Sequence, residues 1–180
     1  TAPGAVTGLK VSKAATKSLT LTWTAISGAT YKVVVYKGKT KVKEVTANTN
    51  SIAVSGLAAA TDYEIQVTAY RGALSGPTTT LKTATAPAKA KLSSAKKKSS
   101  KTVLVKWKKV KNATGYEVYM KQGKKGKYKR VKLIKKAKTV SFKKTKLKAG
   151  KTYYFKVRAY KKTASGNVYG SFSSQKKVKM

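Results

Sequence analysis

The chain has 180 residues, of which 42 are Lys or Arg and only four are Asp or Glu, so its formal net charge is +38. It contains neither Cys nor His, which excludes thiol chemistry, Cys-based zinc sites and the commonest general base. No apolar stretch approaches the ~18 residues that a membrane span needs. We therefore predict a chain without catalytic residues, metal, cofactor or membrane insertion.

Two sequence markers recur along the chain. Thr1-Ala2-Pro3 returns as Thr85-Ala86-Pro87, and Trp23 returns as Trp107, with the same offset of 84 residues. An offset of this size is the length of a small domain. Since the chain begins on the tripeptide that separates its repeats, we expect a fragment or processed chain of a longer modular protein. The repeat predicts three parts: a first domain at 1–83, a short Ala/Pro linker at 84–90 and a second domain at 91–180.

Apolar and polar residues alternate in both repeats, and no segment has the period of a helix. Each alternating segment predicts a half-buried strand. In chain order, the clearest are 19–23, 31–35 and 63–69 in the first repeat, and 103–107, 116–120 and 153–159 in the second. Gly-containing turns such as Ser27-Gly28 and Ser165-Gly166-Asn167 separate the segments. About seven short strands per repeat predict an all-β sandwich.

Each repeat resembles a fibronectin type III domain. The resemblance rests on the early Trp, the Tyr-x-Val strand that follows it, and a Leu-(x)5-Tyr-x-[Ile/Phe]-x-Val-x-Ala segment at 57–69 and 147–159. It implies two antiparallel, seven-stranded, immunoglobulin-like sandwiches in tandem, with a tyrosine corner in each. The residues expected in core or corner positions are Trp23, Trp107, Tyr31, Tyr116, Tyr63 and Tyr153.

Positive charge is concentrated in the second repeat. Residues 89–180 hold 32 basic residues against one acid, whereas residues 1–88 hold 10 against three. Lys supplies 39 of the 42 basic residues, and a Lys field attracts polyanions without the bidentate geometry that Arg provides. We therefore expect diffuse attraction to an anionic polymer. Tolerated lysine enrichment of an exposed spacer is the alternative.

One group of residues could form a more specific site. By strand parity, aromatic and basic side chains share the outward face of the middle strands of the second repeat, where sugar rings or bases could stack. The alternative, which we favour, is cross-strand pairing that stabilises the sheet. This candidate polyanion or carbohydrate face comprises Tyr119, Lys121, Tyr154, Lys156, Arg158 and Tyr160.

The acidic residues give little support for catalysis. Asp62 and Glu64 flank the inward Tyr63, so we expect both carboxylates on a solvated face without the burial that tunes a catalytic acid. Glu117 also faces outward by parity, so we expect it to be too exposed to assist a covalent Lys–Asn crosslink.

Together these features predict a non-catalytic spacer and adhesion segment of an extracellular or cell-surface protein, of bacterial origin. Its second domain would attract an anionic cell-wall or matrix polymer such as teichoic acid. One alternative is a structural subunit of a fibre, sheath or lattice, through self-association or an acidic protein partner. Non-specific nucleic-acid binding is another, although the shortage of Arg counts against it.

Overall fold

A computed structural model describes all residues from 1 to 180, and every regular element in it is a β-strand. No helix in it has the length and apolar character needed to cross a membrane. The alternation of apolar and polar residues accounts for this all-β architecture. Apolar side chains at every second position lie on one face of a strand, whereas on a helix they would be spread around the axis.

Domain 1 consists of two antiparallel sheets. One has the strand order β1-β2-β5, and the other has the order β4-β3-β6, with β7 and β8 both pairing with the free edge of β6. Its strands are β1 (Lys10–Ala14), β2 (Ser18–Thr22), β3 (Thr30–Lys37), β4 (Thr40–Ala47), β5 (Ser51–Ser55), β6 (Asp62–Arg71), β7 (Leu74–Ser75) and β8 (Thr79–Ala84).

Domain 2 repeats this topology with the sheets β13-β10-β9 and β12-β11-β14, the latter extended by β15 and β16 on β14. Its strands are β9 (Leu92–Ser99), β10 (Thr102–Trp107), β11 (Gly115–Gln122), β12 (Lys129–Ile134), β13 (Ser141–Lys144), β14 (Thr152–Thr163), β15 (Gly166–Tyr169) and β16 (Lys176–Lys179). In each domain the last two strands form one interrupted edge strand. Each sandwich therefore has seven strand positions, which confirms the predicted fold class.

A Trp and a Tyr lie at the centre of each core. Trp23 and Tyr31 are buried with their ring centroids 5.0 Å apart, and Trp107 and Tyr116 are buried at 5.4 Å. Trp23 and Tyr31 meet edge to face at an interplanar angle of 63°, an arrangement that aromatic quadrupoles favour, and Trp107 and Tyr116 are tilted at 60°. The two indole N–H groups have no hydrogen-bond partner, so the indole rings contribute through packing alone.

The second residue of β6 and of β14 is a Tyr whose hydroxyl reaches back to the preceding loop. The Tyr63 hydroxyl accepts a hydrogen bond from the Ala58 N–H at 2.8 Å, and the Tyr153 hydroxyl accepts one from the Lys148 N–H at 3.0 Å. Both rings are buried. This geometry is that of a tyrosine corner, which ties the loop to the core.

The first half of the segment predicted as a linker completes domain 1. Ala84 is the last residue of β8, the Thr85 N–H donates to the Thr61 carbonyl at 3.1 Å, and the Ala86 N–H donates to the Ala15 carbonyl at 3.0 Å. All three residues are buried. Small side chains at these positions permit that burial, so the Ala-rich composition of the segment indicates packing as well as connection.

Candidate functional site

The outward face of the β11–β14 pair brings together the six residues of the candidate face. Across these strands Tyr119 lies opposite Lys156, and Lys121 lies opposite Tyr154. The remaining outward positions pair Glu117 with Arg158 and Gly115 with Tyr160. Two of the four cross-strand pairs therefore join an aromatic to a basic side chain, and along β14 two basic residues lie between two tyrosines.

Two of the six residues, Tyr154 and Tyr160, are buried although they lie at outward strand positions. Tyr160 is only 4% exposed because its ring lies over Gly115, where even an added Cβ would come within 2.9 Å of the ring. Tyr154 is 8% exposed, and the Lys121 ammonium lies 5.1 Å from the centroid of its ring. Outward strand parity is therefore not the same as exposure on this sheet.

The basic residues of the face lie between aromatic rings. The Lys156 ammonium is 3.9 Å from the ring centroid of Phe172 and 4.1 Å from that of Tyr128. The Arg158 guanidinium is 3.8 Å from the centroid of Tyr169 and 4.8 Å from that of Phe172. Cations held this close to ring faces are attracted by the aromatic quadrupoles. We call this stack, with Lys121, Tyr119 and Tyr154, the cation–aromatic layer.

Glu117 lies beneath this layer and is fully buried, so the expectation of an exposed carboxylate is wrong. Arg130 Nη1 donates to its Oε1 at 2.5 Å, and Arg158 Nε donates to its Oε2 at 2.9 Å. Arg158 Nη2 forms an ion pair with the same Oε2 at 2.8 Å. The Tyr119 hydroxyl donates to the same Oε2 at 3.2 Å. Side chains from three strands thus cover a residue that parity alone directs toward solvent.

The network determines the protonation state of this carboxyl group. Burial by itself would raise the pKa of Glu117, but the hydrogen bonds from Arg130 and Arg158 outweigh burial and hold the pKa below its ordinary value. Burial also lowers the pKa of the Lys156 ammonium, with help from the nearby charges of Arg158 and Lys121. The carboxylate is therefore a fixed acceptor for two cations.

Sequence reasoning missed four members of this arrangement, namely Tyr128, Arg130, Tyr169 and Phe172. They come from β12, β15 and the flanking loops, whose register cannot be read from alternation in β11 and β14. The Tyr-x-Arg spacing at 128–130 is a weak signal, because Arg130 lies on β12 but Tyr128 precedes the strand. Phe172 lies outside any strand, and no sequence pattern marks its position.

The arrangement supports stabilisation of the sheet rather than chemistry. Its one carboxylate is held ionised by two arginines, so it is not poised to exchange protons near neutral pH. No group of three or more His, Cys, Asp or Glu side chains is placed to hold a metal ion. The Glu64 carboxylate, one of the two acids considered in domain 1, accepts a hydrogen bond from the Gln66 amide at 3.1 Å.

Comparison with known proteins agrees with this architecture. The family profile of the fibronectin type III domain matches residues 4–84 and 86–172, so the chain belongs to the fibronectin type III family. No curated protein matches the sequence. Domains of this family are generally non-catalytic scaffolds that often mediate protein interactions, and tandem pairs are typical of extracellular or surface modular proteins.

Two solved structures illustrate the similarity in fold. A two-domain fibronectin type III segment of chicken tenascin has a TM-score of 0.55 and 20% identity, with 97% of this chain and 99% of that chain covered. The FN1–FN3 domains of chicken CNTN1 have a TM-score of 0.51 and 21% identity, with 98% of this chain and 67% of that chain covered. At these identities the similarity concerns the fold alone.

Proposed function

We propose that the chain is a non-catalytic spacer and adhesion segment of a bacterial surface or secreted protein, and that domain 2 attracts an anionic wall or matrix polymer. One observation carries the electrostatic part. The only acidic side chain in residues 89–180 is Glu117, which is 0% exposed and paired with two arginines. Domain 2 therefore exposes many lysines and no side-chain carboxylate.

A positively charged surface binds polyanions through long-range electrostatic attraction and through release of their condensed counterions. The cation–aromatic layer adds little to this attraction, because Lys156 and Arg158 already interact with rings and Arg158 with Glu117. The exposed lysines on loops and strand edges supply the field instead. This supports charge-based binding over stacking of sugars or bases on the β11–β14 face.

The alternative of a fibre or lattice subunit has less support from the strand edges. Edge strand β4 exposes Val42 between Lys41 and Lys43, and edge strand β12 carries Lys129, Arg130 and Lys132. Basic side chains on an edge oppose pairing with a second chain of the same charge.

Separate production of residues 1–86 and 87–180 tests the proposal. We expect domain 2 to bind immobilised poly(glycerol phosphate) at low salt and domain 1 to elute without retention, because their net charges are +31 and +7. Circular dichroism confirms that each part is folded. Equal retention of the two domains would contradict the proposal.

A further inference from the structure

One end of domain 2 presents eight exposed lysines. At this end β9, β11, β13 and β16 finish, so it presents the β9–β10 turn, the loops at 123–128 and 145–151, and the C-terminal pair Lys179–Met180. All the lysines of these segments are exposed. We call this set the lysine end: Lys101, Lys124, Lys125, Lys127, Lys146, Lys148, Lys151 and Lys179.

Backbone hydrogen bonds hold these segments against one another. The Leu147 N–H donates to the Lys101 carbonyl at 3.0 Å, which joins the 145–151 loop to the β9–β10 turn. The Met180 N–H donates to the Lys151 carbonyl at 2.9 Å, and the Gly123 N–H donates to the Thr152 carbonyl at 2.8 Å. Leu147 is buried. The lysine side chains therefore extend from a backbone of fixed shape.

Lys146 adopts a backbone conformation that favours glycine. Its φ is +59°, in the left-handed region, whereas the corresponding residue of domain 1 is Gly56 with φ +78°. The correspondence is fixed by the buried leucines that follow them, Leu147 and Leu57. A side chain costs free energy in this conformation. An observed outlier of this kind is a reason to look for a function of the side chain.

The lysine end offers charge without a ring surface. Tyr128 is the only aromatic residue in its segments. The Tyr128 ring is covered by the Lys156 ammonium at 4.1 Å, and its hydroxyl donates to the Gln175 side-chain oxygen at 2.5 Å. Bases and sugar rings bind protein surfaces largely by stacking, so this end favours a ligand recognised by its phosphates alone. Lys binds phosphate as a point charge.

We propose that the lysine end is the docking surface for the phosphodiester chain of a ring-free polymer, a poly(glycerol phosphate). This inference rests on the proposed function and locates its contacts. Such a chain can pass across the loops of both sheets, which lie about 10 Å apart in a sandwich, and meet several lysines at once. The lysines on the faces of the sheets then supply attraction at a distance rather than contacts.

The full chain and fluorescently labelled poly(glycerol phosphate) provide the test, with affinities measured by polarisation at about 0.15 M salt. One variant neutralises a lysine in each of three segments: Lys101→Gln, Lys125→Gln and Lys148→Gln. The control neutralises three exposed lysines on the outer face of the β13-β10-β9 sheet: Lys96→Gln, Lys106→Gln and Lys143→Gln. The two variants lose the same charge and leave the buried residues unchanged.

If three phosphate contacts are lost, the affinity of the first variant falls by roughly 50-fold, since each contact contributes about fourfold at this salt. We expect the control to lose less than about threefold. If the native chain binds and both variants lose the same affinity, the lysine end is not the docking surface. The proposed function would remain intact. Failure of the native chain to bind would overturn both.

Lys146→Gly provides an independent readout. We expect its affinity to fall about fourfold, while its melting temperature stays at or above that of the native chain because glycine adopts positive φ without strain. Unchanged affinity would contradict the role assigned to Lys146. Tighter binding of oligo(dT) with the same number of phosphates would assign the surface to nucleic acid and overturn the proposal.

Discussion

We expect Trp107→Ala to unfold domain 2. The side chain is 3% exposed, and truncating a buried Trp to Ala costs about 3–5 kcal/mol. A domain of this size has only about 5–13 kcal/mol of stability in total, and the self-repulsion of its lysines lowers that figure. Hydrogen exchange followed by mass spectrometry gives the readout: peptides from 91–180 exchange fully, whereas those from domain 1 stay protected.

Trp107→Phe is the matched control. The indole N–H has no hydrogen-bond partner, so Phe removes volume and leaves no buried polar group unpaired. We expect a loss of about 1–2 kcal/mol and a folded domain. Protection of domain 2 in Trp107→Ala equal to that of the native chain would show that the core does not depend on this ring.

We expect Glu117→Gln to destabilise domain 2 by about 2–4 kcal/mol. The substitution keeps the shape of the side chain but leaves Arg130 and Arg158 without their anion, and removing one partner of a buried ion pair is costly. We expect this loss of stability to stay below the largest losses known for broken buried ion pairs, because the Arg130 side chain is 49% exposed and can turn toward solvent. Urea unfolding followed by Trp107 fluorescence, in a Trp23→Phe background, reports domain 2 alone.

The same residue predicts how stability depends on pH. The pKa of Glu117 is lower in the folded chain than its ordinary value of 4.5, so the folded state binds fewer protons than the unfolded state. The stabilisation that the ionised Glu117 gives the folded state is therefore complete above the pKa of the unfolded state, and it is lost as pH falls through the pKa of the folded state. No other acidic side chain lies in domain 2. We therefore expect the free energy of unfolding of domain 2 to depend less on pH in the acidic range in Glu117→Gln than in the native chain.

Glu44→Gln serves as the comparison in domain 1. Glu44 also accepts from Lys41 at 2.9 Å and lies 3.7 Å from Lys32, but its side chain is 42% exposed. Exposed ion pairs contribute little to stability, so the melting temperature should not change measurably. Equal effects of the two substitutions would mean that burial of Glu117 adds nothing to its pairing.

The core could be predicted from the sequence because its signals are periodic and local. Trp23 and Trp107 mark equivalent positions in two alternating strands, and the Leu-to-Tyr spacing before Tyr63 and Tyr153 predicts the corner that returns each phenol to its loop. Two copies with the same spacing also supply an internal comparison that a single domain lacks.

The layer over β11 and β14 could not be predicted in the same way. Parity correctly assigns Glu117, Tyr154 and Tyr160 to the outward face, but the burial of Glu117 depends on Arg130, which lies on β12 outside those two strands. Such coverage arises from tertiary packing, on which alternation carries no information. The one local clue is Gly115, whose missing side chain leaves room for the Tyr160 ring.

Lys146 illustrates a signal that becomes visible only on comparing the repeats. In domain 1 the residue before the buried Leu57 is Gly56, and a glycine there indicates positive φ. The aligned residue of domain 2 is a lysine in the same conformation. The sequence shows only that Lys146 stands in domain 2 where Gly56 stands in domain 1. The structure shows that the backbone has the same left-handed conformation at both positions.

The salt dependence of binding tests the central claim most directly. The measurement is the affinity of the full chain for poly(glycerol phosphate) between about 0.05 and 1 M salt. Binding by the exposed lysines of domain 2 predicts a straight line in log affinity against log salt, with a slope of about −5 to −6 for eight contacts and little affinity at 1 M. Affinity that survives at 1 M salt with a slope near zero would contradict the account.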